Sequence, residues 1–371
     1  MKKQLIPLLL IVLVIIINSC GKDDPSVVEP TVDPGTILFT LSSHTADVRL
    51  ALWSPDGTKI ATSSEDTTVI IWSSKNGAKL FTLKGSQAYI TAMQWNPDGT
   101  KIAATGVDGI IDIWSTNNGA KLLTIPSDNS GFIWSMKWSP DGTKLATTGT
   151  SRKIIIWSSE SVSKLHTLSG HSQNVIELNW SPDGSKIASA SNDNTAKIWS
   201  AIDGSIIYTL SGHTDFLTCV QWSPDGSKIA TAGKDNMAYI WSATTGAKLN
   251  TLKGHSGDIY SLDWNPDGTK LATAGGDYSA IIWSTSDGNK IFTLMGHSSH
   301  IMSVKWSPDG TKLGTAAFDT KAKIWSANDG TNLFTLEGHT AYVNSIKWSP
   351  DGTKVVTASL DKTAKIWYIG K

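Results

Sequence analysis

Cysteine, net charge and long apolar runs are all scarce in this chain. Cys20 and Cys219 are its only two cysteines, so packing rather than cross-linking has to hold the fold. Its 32 basic side chains balance 32 acidic ones, which removes any global bias toward nucleic acid or acidic surfaces. There is no glycine-rich phosphate loop and no paired basic run. Beyond the first 20 residues no apolar stretch is long enough to span a membrane. A sustained 3.6-residue apolar repeat is missing too, and the chain reads as all-β.

Tryptophan, in contrast, is abundant, with 17 copies. One series runs Trp53, Trp95, Trp138, Trp180, Trp222, Trp264, Trp306, Trp348. A second runs Trp72, Trp114, Trp157, Trp199, Trp241, Trp283, Trp325, Trp367. Each step is 42 residues, except one of 43, and only Trp134 lies off this lattice. A fixed period in this range means a stacked or closed array of one supersecondary unit.

The fifth copy shows the unit. Phe216 to Gln221 alternates and leads to Trp222. Ser223-Pro224-Asp225-Gly226 is then a turn with a mechanism: proline presets φ, aspartate caps its own backbone, and glycine accepts positive φ. Lys228 to Ala232 is a second strand, Gly233 to Asn236 a turn, and Ala238 to Trp241 a third strand. Thr244-Thr245-Gly246 turns again into a fourth strand, Lys248 to Leu252. One four-stranded sheet leaves its faces uncovered, and stacking such sheets around an axis covers them.

Gly212-His213, Trp222, Asp235 and Ile240-Trp241, recurring in register, resemble the WD repeat of β-propellers over residues 36 to 371. The chain departs from that family in its naming dipeptide, which is Trp-Ser at Trp72-Ser73, Trp199-Ser200 and Trp283-Ser284. The Trp-Ser-Pro-Asp-Gly turn also resembles the shorter propeller repeat of periplasmic translocation proteins. The resemblance implies an eight-bladed β-propeller of four-stranded antiparallel blades over residues 35–371. Thr36 to Leu41 matches a fourth strand with no first three before it, and Ile366-Trp367-Tyr368 ends a third strand with no fourth after it. The N-terminal strand is therefore expected to complete the last blade and remove the open edges. An open array, or seven blades plus one, is the alternative.

Residues 1–19 read as a signal peptide, with Lys2 and Lys3 followed by the 13-residue apolar run Leu5 to Ile17. Ile17-Asn18-Ser19-Cys20 resembles a bacterial lipobox, which implies cleavage before Cys20 and its lipidation. The alternative is an ordinary cleaved signal with an incidental cysteine. Cleavage would leave 30 basic and 32 acidic side chains, a formal charge of −2. Lys22-Asp23-Asp24 resembles the acidic surface-export signal of lipoproteins in Bacteroidetes-type bacteria, or is merely part of a solvated tether. Residues 20–34 hold Pro25, Pro30 and Pro34 and read as an extended tether of about 40 Å at roughly 3 Å per residue. The expected location is the bacterial cell envelope, anchored at the outer membrane, facing the periplasm or the outside. Cys219 falls on the inward face of a first strand, where a buried small hydrophobe is expected rather than a reactive thiol.

One constellation imitates a catalytic triad. It is His44, Thr62, Asp66, Trp72 in the first copy and His171, Ser189, Asp193, Trp199 in the fourth. The fifth and sixth copies hold His213, Thr231, Asp235, Trp241 and His255, Thr273, Asp277, Trp283. The last two hold His297, Thr315, Asp319, Trp325 and His339, Thr357, Asp361, Trp367. An enzyme needs one such site, in a pocket with an oxyanion hole, not six. The WD resemblance implies a structural relay instead, from tryptophan through hydroxyl and imidazole to aspartate. The histidines sit in separate blades and share no metal ion. Copies two and three depart: Ser86 and Asn129 replace histidine, Ala104 the hydroxyl residue, and Ser151 the aspartate. That sector is either drift or reshaped for a partner.

The remaining variation is concentrated. In the WD family the third and fifth residues after the histidine, and the residue before the aspartate, point to the face around the axis. The third positions are Asp47, Tyr89, Phe132, Asn174, Phe216, Asp258, His300 and Tyr342. The fifth positions are Arg49, Thr91, Trp134, Ile176, Thr218, Tyr260, Met302 and Asn344. The pre-aspartate positions are Glu65, Val107, Thr150, Asn192, Lys234, Gly276, Phe318 and Leu360. Tyr89, Phe132, Trp134, Phe216, Tyr260, His300, Phe318, Tyr342 and Arg49 are the expected partner-binding residues, because aromatics edged by charge make binding hot spots. The alternative is that some rings pack between blades. The expected function is a non-enzymatic, lipid-anchored scaffold for a protein or peptide, a monomeric propeller with no cofactor, no catalytic or metal site and no nucleic-acid partner. An envelope-assembly scaffold or a glycan-binding propeller is the alternative. Eight-bladed propellers also house quinone-cofactor dehydrogenases, but no adjacent cysteine pair or unique carboxylate cluster supports that reading.

Overall fold

The computed structural model describes residues 32–85, 88–126 and 131–370. The expected signal peptide, Cys20, most of the tether, Ser86 and Asn129 lie outside the described residues. From Asp33 onward the chain forms one unit, whose described residues make 32 strands arranged as eight antiparallel sheets of four. The first strand, Ile37–Leu41, belongs to the last sheet. Blade 1 is then Val48–Trp53, Lys59–Ser64, Thr68–Ser73 and Lys79–Lys84. Six further blades repeat it, and Val343–Trp348, Lys354–Ser359 and Ala364–Tyr368 begin the eighth. In the fifth copy the strands run Leu217–Trp222, Lys228–Gly233, Met237–Ser242 and Lys248–Lys253, within a residue of the spans read from sequence.

Ring closure follows the expected route. Ile37 pairs with Trp367, Phe39 with Ile366 and Leu41 with Ala364. The Gly35 amide donates to the Tyr368 carbonyl at 2.7 Å, and the Tyr368 amide to the Thr36 carbonyl at 2.9 Å. Leu41, Val356 and Ile366 of the eighth blade share one buried cluster with Val48, Trp53 and Ile60 of the first. The fourth strand of each blade is the outermost and most exposed, whereas second strands are buried almost throughout. Burial on both faces explains the Ile-Ala-Thr and Ile-Ile-Trp runs of the middle strands, which would be odd in a sheet with one wet side.

Both tryptophan series have a structural cause. Each first-series indole donates to the carbonyl just before the matching tryptophan of the preceding blade. Trp95 reaches Leu52, Trp222 reaches Asn179, and Trp53 reaches Lys347 across the joint, at 3.3, 3.1 and 3.2 Å. The eight indoles thus form a collar of inter-blade hydrogen bonds. Beside it, the glycine of each Pro-Asp-Gly turn lies under the previous blade's proline. Gly226, at φ +71°, would place a Cβ 3.4 Å from Pro182, so handedness and contact both call for glycine. Strand direction puts these turns on one face of the ring and the histidine loops on the other.

A candidate interaction face on the histidine side

The histidine loops are fixed from below by the six relays. In blade 7, the Trp325 indole donates to Thr315 Oγ1 at 2.8 Å, and Thr315 Oγ1 lies 2.8 Å from His297 Nε2. His297 Nδ1 lies 2.8 Å from Asp319 Oδ2, which also accepts the Ser298 amide at 3.0 Å. The same chain of contacts joins His44, Thr62, Asp66 and Trp72 and His171, Ser189, Asp193 and Trp199. It joins His213, Thr231, Asp235 and Trp241 and His255, Thr273, Asp277 and Trp283. It joins His339, Thr357, Asp361 and Trp367 as well.

Charge is held at the aspartate. Burial pushes the Asp319 carboxyl up, but hydrogen bonds from His297 and the Ser298 amide outweigh it and hold it below the usual range. Burial lowers the pKa of His44 and His339 against the pull of their aspartates. A neutral imidazole facing a carboxylate carries its proton on Nδ1. Nε2 therefore accepts from the hydroxyl, whose oxygen accepts the indole N–H. Every member is paired, and the loop is locked to the turn beside it. In blade 3, where Ser151 stands for the aspartate, the Trp157 indole still donates to Thr147 Oγ1 at 3.0 Å. Blade 2 has Ala104 at the hydroxyl position. It also holds a feature the sequence reading missed: Asp112, buried within the third strand, accepts from Thr124 and pairs with Lys121 at 2.9 Å.

A β-bulge sets the inner rim. In every blade the pairing of first and second strands skips one residue. The skipped residues are Arg49, Thr91, Trp134, Ile176, Thr218, Tyr260, Met302 and Asn344, the whole fifth-position column. A bulge bends the strand and re-aims one side chain. Here seven of the eight, all but Arg49, line the central channel.

The expected binding residues divide into separate groups on this face. Tyr260 and His300 have ring centroids 5.7 Å apart, and Tyr278 lies 5.5 Å from His300. His300 stacks over Phe318 at 6.3 Å, and Phe318 over Tyr342 at 4.5 Å with 15° between planes. This is a continuous ladder across blades 6, 7 and 8. Tyr278 was not in the expected set. It occupies the turn position after the relay aspartate, where a bulky ring is out of keeping with Thr67, Asn194 and Lys362, and that contrast was its available signal. Phe216 sits apart on blade 5 with Lys234 Nζ 5.7 Å from its ring centre. Tyr89, Phe132 and Trp134 lie on blades 2 and 3, the first two exposed and Trp134 half-buried. Arg49 is tied to Glu65 through both Nε and Nη2. Cys219 is buried, its Sγ 3.2 Å from the Tyr260 carbonyl, and burial with the nearby Glu177 pushes the thiol up to about 12. It is inert as a nucleophile at neutral pH.

The model of the WD domain, G-beta repeat, matches residues 35–73, 77–115, 119–158, 162–200, 204–242, 246–284, 288–326 and 330–368. The chain belongs to the WD40 family. Each matched stretch begins in one blade's fourth strand and ends in the next blade's third strand, so the repeat in sequence is offset from the blade in space. No curated protein matches the chain. WD40 propellers are in general non-enzymatic scaffolds that bind proteins or peptides. Among the described residues no group of three or more His, Cys, Asp or Glu side chains is arranged to hold a metal ion, and no helix is long and apolar enough to cross a membrane.

Proposed function

We propose that this WD40 propeller is a binding scaffold that presents the histidine-side face to a protein or peptide. The observation that carries the reading is the ring ladder in which Tyr260 and Tyr278 both flank His300 and His300, Phe318 and Tyr342 stack in succession. Its end members Tyr278 and Tyr342 are 41% and 48% exposed. Stacked rings lose little rotamer freedom on binding and offer large contact area, which is the chemistry of an interface anchor. The relays beneath them make the platform rigid before a partner arrives, which lowers the cost of association. We further propose that the protein acts as a monomeric, lipid-anchored component of the bacterial envelope, held through Cys20. The envelope location and the anchor rest on the leader and the lipobox-like sequence, and the monomeric state on the closure of the ring within one chain.

The test is capture of partners from envelope and extracellular fractions by the parent and two triple variants. One carries Tyr260→Ala, Phe318→Ala and Tyr342→Ala; the other carries Tyr89→Ala, Phe132→Ala and Trp134→Ala. A partner lost by the first and kept by the second supports the ladder as the site. A partner kept by the first moves the site elsewhere on the ring.

A further inference from the structure

The channel through the ring carries charges that neither the relays nor the aromatic face use. It is a cavity of about 350 Å³ lined by Lys137, Lys305, Lys347 and Glu177, among other side chains. Lys137 and Lys347 also line the openings toward the Pro-Asp-Gly face, inside the tryptophan collar. Asp263 belongs to the same inner ring of first-strand residues. Its carboxylate is spoken for: Lys305 Nζ is 2.6 Å from one oxygen, and the Trp306 amide donates to the other at 2.9 Å. Glu177 accepts the Val220 amide at 3.0 Å. Among the described residues neither Lys137 nor Lys347 has an ion-pair or hydrogen-bond partner for its ammonium group.

Two ammoniums with no direct ion-pair or hydrogen-bond contact in a half-buried channel are costly, since the nearby Glu177 and Asp263 carboxylates are engaged with other groups. The matching positions of blades 1, 2, 4 and 5 hold the uncharged Leu52, Gln94, Asn179 and Gln221, and blade 6 holds Asp263, which pairs with Lys305 of blade 7 and leaves Lys137 and Lys347 without such a partner. The three lysines come from blades 3, 7 and 8, which brings them to the channel from different sides. Repulsion from neighbouring lysines registers in Lys347 and in Lys137. Burial, then Lys305 and Lys137, push Lys347 down to about 7 against the pull of Asp263 and Glu177. Burial, with Lys305 and against Glu177, lowers Lys137.

We propose that the central channel is a binding site for a small oxyanion, a sulfate, phosphate or carboxylate ligand, held between Lys137 and Lys347 with Lys305 alongside. Three lysines here face two carboxylates, Glu177 and Asp263, and an oxyanion adds the missing counter-charge while accepting several charge-assisted hydrogen bonds at once. Neither lysine belongs to the aromatic face, so failure of one site leaves the other standing.

The test is isothermal titration of the full chain with inorganic sulfate and, separately, with succinate. Parent, Lys137→Met/Lys347→Met and the exposed-site control Lys75→Met are compared at constant ionic strength. Sulfate keeps its charge between pH 6.0 and 8.5, so any change over that range belongs to the protein. The groups facing Lys347 that can titrate or repel are Lys137, Lys305, Asp263, Glu177 and Cys219. The expected result is one-to-one binding of sulfate or succinate at pH 6.0. Each lost charge-assisted contact should weaken it about tenfold or more, so the double variant falls about a hundredfold while the control is unchanged. Sulfate affinity should fall at pH 8.5 as Lys347 loses its proton. Whichever probe binds tighter identifies the ligand as tetrahedral or carboxylic. Binding of neither probe at about 20 mM overturns the proposal, as does a double variant within about twofold of the parent. If the double variant does not fold, equal sulfate affinity of the parent at both pH values overturns it, and the stated fall sustains it.

Discussion

Thr315→Val removes one oxygen and keeps the shape of the side chain. Thr315 is fully buried, and its hydroxyl stands 2.8 Å from both the Trp325 indole and His297 Nε2. Without it, two buried polar groups lose their partner. Each orphaned group costs about 1–3 kcal/mol, and valine fills the volume, so no cavity adds to it. The expected loss is about 2–6 kcal/mol. The paired control is Thr105→Val. Thr105 is equally buried, but its Oγ1 has no partner. Blades 4 to 8 carry Ala190, Ala232, Ala274, Ala316 and Ala358 at that position. Replacing an unpaired buried hydroxyl by a methyl should stabilise by about 1 kcal/mol. Urea unfolding read by tryptophan fluorescence gives both values, with the slope checked for two-state behaviour. The same chemical substitution should thus act with opposite signs. Equal effects at the two sites, or a loss below about 0.5 kcal/mol at Thr315, would refute the claim that the relay is a paired network.

Three other outcomes follow from the geometry. Thr320 holds φ at 68° in the turn after its relay aspartate, where blade 2 has Gly109 at 71°. Relieving a β-branched residue of that conformation by Thr320→Gly should raise stability by about 0.5–1 kcal/mol, measured by the same denaturation. Acid should destabilise the ring in two stages. Burial depresses His44 and His339 below 6.5, so the unfolded chain takes up protons that the fold refuses as pH falls below that value. The relay aspartates, depressed below 3.8 despite burial, add stability that is present above that pH and lost as pH falls through their folded values. A thermal midpoint constant between pH 6.5 and 3.5 would contradict the first stage. At the alkaline end, Lys347 is depressed to about 7 from 10.5. The unfolded chain keeps that proton longer than the fold does, so stability should rise with pH across this window and rise less in Lys347→Met. A parent and variant with parallel pH curves would contradict it.

The architecture was legible because it is written eight times. Period, turn chemistry and the unmatched strands at Thr36–Leu41 and Ile366–Tyr368 determine the blade count and the closure from the sequence alone. The relay sets could be grouped by register alone. The tryptophan collar could not, because the carbonyl that Trp53 reaches belongs to Lys347, nearly 300 positions away, and backbone acceptors leave no mark in a sequence. The bulge that aims Trp134 and Tyr260 was hidden for a related reason: one unpaired residue per strand changes register without changing composition. Tyr278 was hidden because it stands outside the three repeat columns that carry the variable face, in the turn position after the aspartate. The unpaired Lys137 and Lys347 were invisible as well, since their isolation depends on which side chains from other blades share the channel.

The most direct measurement on the binding reading places a photo-crosslinking p-benzoylphenylalanine at position 318, in the middle of the ladder. A second variant places it at Ile202, which is 78% exposed in a turn on the opposite face. The partner found by capture should crosslink from position 318 and not from position 202. Crosslinking from position 202 alone would put the partner on the Pro-Asp-Gly side and contradict the account of the histidine-side face.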